Sequence, residues 1–164
     1  MPIHQGGCLC GACRYETRGD PIRVTICHCK FCQRATGSAY MVEPIFALDA
    51  FAVTKGTPAI YDQRSAGSGK IVHVHFCRDC GTKLFLTFER FAGSCGVYAG
   101  TFDDPSWFPI PVETSKQIFI DEARPDSILP PDLPAFGQHA TTNDGTPLTP
   151  RIYDRPQLVG AIKT

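Results

Sequence analysis

The stretch Cys77-Arg78-Asp79-Cys80-Gly81 decides the fold, because two cysteines separated by two residues are typical of a zinc knuckle. The glycine that follows permits the positive φ that such a turn often needs. A knuckle supplies two ligands, and Cys8-x-Cys10 is the best source of two more, since residues two apart on an extended segment project to one side. A site filled by four protein ligands is typical of structural zinc. The predicted structural zinc ligands are Cys8, Cys10, Cys77 and Cys80.

A second cluster of thiols lies in Cys27-His28-Cys29-Lys30-Phe31-Cys32, which offers three sulfurs and no obvious fourth. A zinc ion with three protein ligands keeps an exchangeable position, where a water or a substrate thiol can enter and ionise. We therefore interpret Cys27, Cys29 and Cys32 as ligands of a second, catalytic zinc. Two alternatives stay open: a second structural zinc completed by Cys13, a histidine or an acidic residue, and a redox exchange between Cys29 and Cys32.

The composition is that of an ordinary soluble globular protein, with 43% hydrophobic and 20% charged residues. A chain of 164 residues is long enough to bury a core without a framework of disulfides. The formal net charge is zero, so no global field attracts the protein to nucleic acid or to anionic lipid. We expect neither nucleic acid nor a membrane among its partners.

The sequence favours a cytoplasmic location. No apolar run approaches the roughly 18 to 20 residues that a spanning helix requires, and the first residues lack the pattern of a secretory signal. In a reducing compartment, clustered cysteines are more often ligands or redox groups than disulfides. The odd total of nine cysteines also fits poorly with complete pairing.

Turn-forming residues predict a mainly β fold. Fourteen prolines and fifteen glycines leave little room for long helices, so we expect short strands separated by turns. Residues 12–17 and 21–27 are predicted to form a hairpin that ends in the second cluster, and residues 30–36 a helical turn that stops at Gly37. Further strands are predicted at residues 38–43, 59–62, 70–76, 83–88, 96–100 and 117–121.

Three stretches of the chain, in the same order, resemble the glutathione-dependent formaldehyde-activating enzyme family, which includes centromere protein V-like proteins. They are residues 7–16 with Gly-Cys-Leu-Cys-Gly-Ala-Cys, residues 27–38 with Cys-His-Cys-Lys-Phe-Cys, and residues 76–82 with Phe-Cys-Arg-Asp-Cys-Gly-Thr. The resemblance spans about residues 5–136. We therefore expect a zinc-binding domain over residues 1–136, followed by a tail over residues 137–164 that is either mobile or packed on a neighbour.

The resemblance implies an Mss4-like fold of short antiparallel strands stapled by zinc at Cys8, Cys10, Cys77 and Cys80. It also implies a second zinc at Cys27, Cys29 and Cys32, which in the founding activity of this family is associated with glutathione and formaldehyde. A three-ligand site binds less tightly than a closed one, so the second zinc can be partly lost in an isolated sample.

Two functions are compatible with this pattern. The first is a carbon–sulfur lyase that acts on an adduct of a small thiol such as glutathione, with Lys30, Arg34 or Arg64 as anchors for the carboxylates of the thiol. The alternative is a non-catalytic, zinc-stabilised binding module. The sequence indicates neither the oligomeric state nor the general base.

Overall fold

The structure is a computed structural model that describes residues 1–162. Lys163 and Thr164, the end of the predicted tail, lie outside the described residues. Strands and isolated β-bridges account for 38% of the described residues, helices and 3-10 turns account for 12%, and nearly all strand pairs are antiparallel. The prediction of a mainly β, antiparallel fold is confirmed, whereas the zinc of that fold stays a prediction.

Within residues 1–162, twelve strands and two α-helices follow one another. The strands are β1 (Ile3–Gly7), β2 (Arg14–Arg18), β3 (Arg23–Cys27), β4 (Met41–Ala47), β5 (Phe51–Lys55), β6 (Ala59–Arg64), β7 (Ile71–Phe76), β8 (Lys83–Phe88), β9 (Ser94–Val97), β10 (Lys116–Ile118), β11 (Ile128–Leu129) and β12 (Gln157–Leu158). The helices are α1 (Lys30–Thr36) and α2 (Val159–Ile162). Short 3-10 turns lie at Leu48–Ala50, Ala99–Thr101 and Ile120–Glu122.

The described chain divides into two compact units, each made of two separate stretches. Unit 1 contains Met1–Arg23 and Glu43–Pro109, and unit 2 contains Val24–Val42 and the described part of Ile110–Thr164. The domain boundary after residue 136 stays a prediction.

Unit 1 holds two antiparallel arrangements of strands. β2 lies between β1 and β5, while β9, β8, β7 and β6 follow one another beside β4. β8 has a continuous buried run of Leu84, Phe85 and Leu86, as expected for an interior strand whose two faces are both covered. Phe46 and Tyr15 are also fully buried, so the core of unit 1 is aromatic and aliphatic.

Close backbone approach explains one glycine of unit 1. The Tyr15 hydroxyl is 2.8 Å from Oγ1 of Thr101, and a Cβ atom at Gly6 would overlap the Tyr15 hydroxyl oxygen and lie 2.5 Å from the carbonyl oxygen of Thr101. Such a distance is far inside van der Waals contact, so only glycine fits at this position of β1. The ring of Tyr15 therefore lies directly across β1.

The predicted hairpin of residues 12–17 and 21–27 is wrong. β2 pairs with β1 and β5, and β3 pairs in parallel with β10. Residues 12 and 13 belong to the loop that carries the first cysteines, so β2 begins only at Arg14. β2 pairs along its whole length with β1. The residues of β1 do not alternate between apolar and polar, so the sequence did not predict this strand.

Unit 2 has a small core of its own. Ile120, Ala123, Leu129 and Ala135 are buried together with Val159, and Tyr153 and Ile162 pack against them. β12 pairs with β11, and Arg151 bridges to Ala135. Residues after position 136 therefore contribute part of the hydrophobic core of unit 2.

The helical turn predicted at residues 30–36 is confirmed, and Gly37 ends it in the left-handed conformation with φ of 66°. Among the described residues, no helix combines the length and the apolar composition that crossing a bilayer requires.

We predict that unit 1 loses stability as the pH falls from about 6.5 to about 4, because of His75. Its ring stacks on Phe85 at 4.1 Å, and burial followed by the effect of His73 lowers the pKa of His75 from 6.5 to about 4. In this range the unfolded chain binds a proton that folded His75 does not, so acid favours unfolding. Urea unfolding at several pH values should show a steeper pH dependence for the wild-type protein than for His75→Gln. The control His73→Gln should retain most of the slope; equal slopes in all three proteins would contradict the prediction.

Candidate metal centres

The sulfur atoms of the first predicted cluster converge, although its two halves lie far apart in sequence. The sulfurs of Cys8 and Cys10 are 3.5 Å apart, and those of Cys10 and Cys77 are 3.7 Å apart. All four sulfurs, including that of Cys80, lie within 4.8 Å of one another. A tetrahedron with each sulfur about 2.3 Å from its centre has edges of about 3.8 Å, so the cluster fits a four-coordinate zinc ion.

Two loops of similar construction carry these sulfurs. In each, the backbone N–H of the first cysteine donates to the carbonyl five residues later: Cys8 to Cys13 at 3.0 Å and Cys77 to Thr82 at 2.9 Å. In each, a glycine takes a left-handed conformation, with φ of 72° at both Gly11 and Gly81. The expectation of an extended Cys8-x-Cys10 segment is wrong, since these residues lie in a turn. The turn, not strand alternation, brings the two sulfurs to one side.

Thr82 connects the two loops. Its hydroxyl oxygen accepts a hydrogen bond from the N–H of Leu9 at 3.2 Å and lies 3.1 Å from the sulfur of Cys80. Hydrogen bonds from this hydroxyl and from the Thr82 backbone lower the pKa of Cys80 to about 6. This environment favours the thiolate form, which is the form that binds metal.

Cys13 and Cys95 lie outside both convergent clusters among the described residues. Cys13 is buried, and its backbone N–H donates to the sulfur of Cys8 at 3.2 Å, which is a contact that stabilises a thiolate. Burial raises the pKa of the Cys13 thiol to about 11 and that of Cys95 to about 12. Both thiols are therefore suited to a neutral, packed role.

The second cluster lies in unit 2, where β3 runs into α1. Cys27 is the last residue of β3, Cys29 caps α1, and Cys32 lies one turn into that helix. Their three sulfurs lie within 4.8 Å of one another. Cys27 and Cys32 are buried and Cys29 is partly exposed, so the cluster can be reached from the side of Cys29.

The electrostatics of the second cluster favour one thiolate among the three sulfurs. Hydrogen bonds from Cys27 and Cys32 lower the pKa of Cys29 to about 3, and the backbone N–H of Cys32 also donates to its sulfur at 3.3 Å. The same sulfur contacts raise the pKa of Cys27 and Cys32 well above the usual range. A soft, anionic donor set of this kind fits zinc, which prefers thiolates.

Gln117 and Glu122 contact the second cluster's segment, but the sequence did not indicate either residue. Nε2 of His28 is 3.1 Å from Oε1 of Gln117, and both side chains are almost completely buried. The carboxylate of Glu122 accepts a hydrogen bond from the backbone N–H of Lys30 at 2.7 Å. Gln117 and Glu122 lie about 90 residues after their partners, so only the fold reveals the contacts.

The three cations proposed as substrate anchors differ in their surroundings. The ammonium group of Lys30 donates to the carbonyl of Glu122 at 3.0 Å. Nη1 of Arg64, in unit 1, donates to the carbonyl of Gly69 at 2.6 Å. Arg34 is exposed in the last turn of α1, on the same element as Cys32.

The chain is similar to a curated protein and to a protein of known crystal structure. A Schizosaccharomyces pombe protein named an uncharacterized lyase is 28% identical over 93 residues, which are 55% of this chain and 61% of that protein. The chain thus spans less than two thirds of that relative. A crystal structure of a Rhodobacter sphaeroides protein is 21% identical and has a TM-score of 0.49, covering 60% of this chain and 87% of the other.

The family comparison covers most of the sequence. Residues 3–122 match the model of the glutathione-dependent formaldehyde-activating enzyme, and this range includes both cysteine clusters, Gln117 and Glu122. The chain therefore belongs to the glutathione-dependent formaldehyde-activating enzyme family.

Proposed function

We propose that the protein is a zinc-binding carbon–sulfur lyase that acts on an S-hydroxymethyl adduct of a small thiol such as glutathione. The family and the lyase-named relative support this class of reaction. The main support in the molecule is the difference between the clusters, since four sulfurs converge in one and three in the other. Four thiolates complete a tetrahedral ion, whereas three leave a position for a substrate.

Each cluster has its own part in this proposal. Cys8, Cys10, Cys77 and Cys80 would hold a structural zinc that joins the loop after β1 to the loop after β7. Cys27, Cys29 and Cys32 would hold the second zinc, which when bound lowers the pKa of an incoming thiol and polarises a carbonyl oxygen. Cys29 is the least buried of these three, so we propose that the substrate approaches beside its sulfur.

The proposed reaction needs neither an oxidant nor a reductant. In the direction of synthesis, the thiol sulfur bonds to the carbon of formaldehyde, the π electrons of the carbonyl move to oxygen, and the thiol proton ends on that oxygen. In the lyase direction, the hydroxyl oxygen gives up its proton and forms the carbonyl, the electron pair of the carbon–sulfur bond goes to sulfur, and the proton ends on that sulfur, so that the thiol and formaldehyde leave. Holding thiol and aldehyde side by side would supply much of the acceleration.

A reducing compartment is part of the proposal, and we propose the cytoplasm. All nine cysteines have free thiols, which suits a protein that must keep seven of them ready to bind metal. Arg34 is the proposed anchor for a carboxylate of the thiol substrate, because it is exposed on α1.

Metal analysis combined with a direct rate measurement tests the proposal. We expect about two zinc ions per chain, one of which a moderate chelator removes first. Exchange NMR of glutathione with formaldehyde should show faster adduct formation and cleavage with the two-zinc protein than with the one-zinc protein. Two tightly held zinc ions without any acceleration would instead identify a non-catalytic, zinc-stabilised module.

A further inference from the structure

Residues 117–122 follow the second cluster closely along its backbone. The carbonyl of Ile118 accepts a hydrogen bond from the N–H of His28 at 3.0 Å, directly between two of the cysteines. Four residues further on, a carboxylate oxygen of Glu122 accepts from the N–H of Lys30 at 2.7 Å. The segment therefore contacts the cysteine-bearing backbone on both sides of Cys29.

The main chain of Glu122 makes further contacts with α1. Its carbonyl accepts hydrogen bonds from Nζ of Lys30 and from Nε2 of Gln33, both at 3.0 Å. Nε2 of Gln33 also donates to the carbonyl of His28 at 2.6 Å. Glu122 is thus joined to the first turn of α1 and, through Gln33, to the residue between Cys27 and Cys29.

The position of Lys30 explains why these contacts matter for the sulfurs. Lys30 is the first residue of α1, and the first N–H groups of a helix have no partner inside it. The sulfur of Cys29 takes the N–H of Cys32, and the carboxylate of Glu122 takes that of Lys30. The carboxylate of Glu122 and the sulfur of Cys29 therefore both cap the first turn of α1. We expect movement of one group to displace the other.

An unusual backbone conformation brings Glu122 to this position. Phe119 has φ of 59°, in the left-handed region that a bulky residue rarely adopts. It is held there by a hydrogen bond from its N–H to the carbonyl of Gln138 at 3.0 Å, and its own carbonyl accepts from the N–H of Glu122 at 3.0 Å. The chain thus turns sharply after β10, and the short 3-10 turn Ile120–Glu122 ends against α1.

We infer that Glu122 is a positioning residue for the three-cysteine cluster, whose carboxylate fixes the first turn of α1 and with it the sulfurs of Cys29 and Cys32. This inference rests on the proposed second zinc. It also gives Lys30 a different role from that of a substrate anchor, because both its backbone N–H and its ammonium group are bound by Glu122.

Competition with a chromophoric chelator tests the inference without any assay of turnover. In Glu122→Ala, the second zinc should bind roughly 10- to 100-fold more weakly, as is typical when a group that supports a ligand is lost, while the first zinc is unchanged. Glu122→Gln keeps an oxygen that can accept from Lys30, so its affinity should stay within about threefold of wild type. Glu113→Ala, which removes an exposed glutamate elsewhere in unit 2, is the matched control and should bind both ions normally.

Cobalt substitution provides a second, spectroscopic test of the role of Glu122. The thiolate-to-cobalt absorption of the second site should shift or weaken in Glu122→Ala and recover in Glu122→Gln. Unchanged affinity and unchanged absorption in Glu122→Ala would overturn the inference, as would an equal loss in both variants. Should the alanine variant fail to fold, Glu122→Asp withdraws the oxygen by one methylene and provides the same comparison.

The wild-type protein separates failure of this inference from failure of the proposed function. If wild type binds only one metal ion, the proposed second zinc is wrong and the inference falls with it. If wild type binds two and Glu122→Ala binds both with normal affinity, only the role of Glu122 is refuted.

Discussion

Cys77→Ser is expected to release one zinc ion and to lower the free energy of unfolding by about 4 kcal/mol or more, since a structural metal contributes directly to folding. Cys77 is buried and its sulfur lies 3.7 Å from that of Cys10, across the two loops that carry this cluster. With a serine there, the remaining three sulfurs no longer complete a tetrahedral site. Urea unfolding and metal analysis of the same samples measure both effects.

The buried Cys95 provides a control for this experiment. It lies outside both clusters, so Cys95→Ala should keep two zinc ions and lose only the packing of one small side chain, about 1 kcal/mol. A chelator should destabilise this variant as much as it destabilises wild type. If Cys77→Ser kept both metal ions and the stability of wild type, a structural zinc at the first cluster would be excluded.

Cys29→Ser is expected to abolish the proposed activity and leave the fold almost unchanged. The variant should lose the second zinc and at least about 1,000-fold in the rate of adduct cleavage, because one of three thiolates is gone. The sulfur of Cys29 also caps α1 by accepting from the N–H of Cys32, and serine is among the best residues for that position. Compared with wild type from which the second zinc has been removed, the free energy of unfolding should therefore change by less than about 1 kcal/mol.

Rate and stability must be measured on the same preparation for this variant. Loss of turnover together with a cooperative unfolding transition like that of one-zinc wild type would separate the side chain of Cys29 from the stability of the fold. Full turnover in Cys29→Ser would rule out catalysis by a zinc ion at this cluster.

Local chemistry explains which elements could be predicted from the sequence. The helical turn of residues 30–36 and the strand of residues 83–88 coincide with α1 and β8, because one ends at a left-handed glycine and the other is a dense apolar run. β1 contains two glycines, and β11 and β12 have two residues each, so neither alternation nor length distinguishes them from loops. Pairing with other strands in the folded protein determines where these three strands form.

The candidate metal centres could likewise be predicted only in part from the sequence. Cysteine spacing predicted which sulfurs converge, because the ligands of structural zinc typically occur in closely spaced pairs. It did not predict the geometry of the Cys8 loop, which is a turn closed by a hydrogen bond to Cys13. Gln117 and Glu122 could not be found at all, since a glutamine and a glutamate in a polar stretch have no distinctive pattern.

The alternation of the two units along the chain has a consequence for biosynthesis. The three thiols of the second cluster leave the ribosome by residue 32, but Gln117 and Glu122 emerge only some 90 residues later. Until then, a reactive trio of sulfurs is exposed to oxidants and to stray metal in the nascent polypeptide. Neither unit can be completed from one contiguous piece of the gene, so a truncated product would carry unfinished thiol clusters.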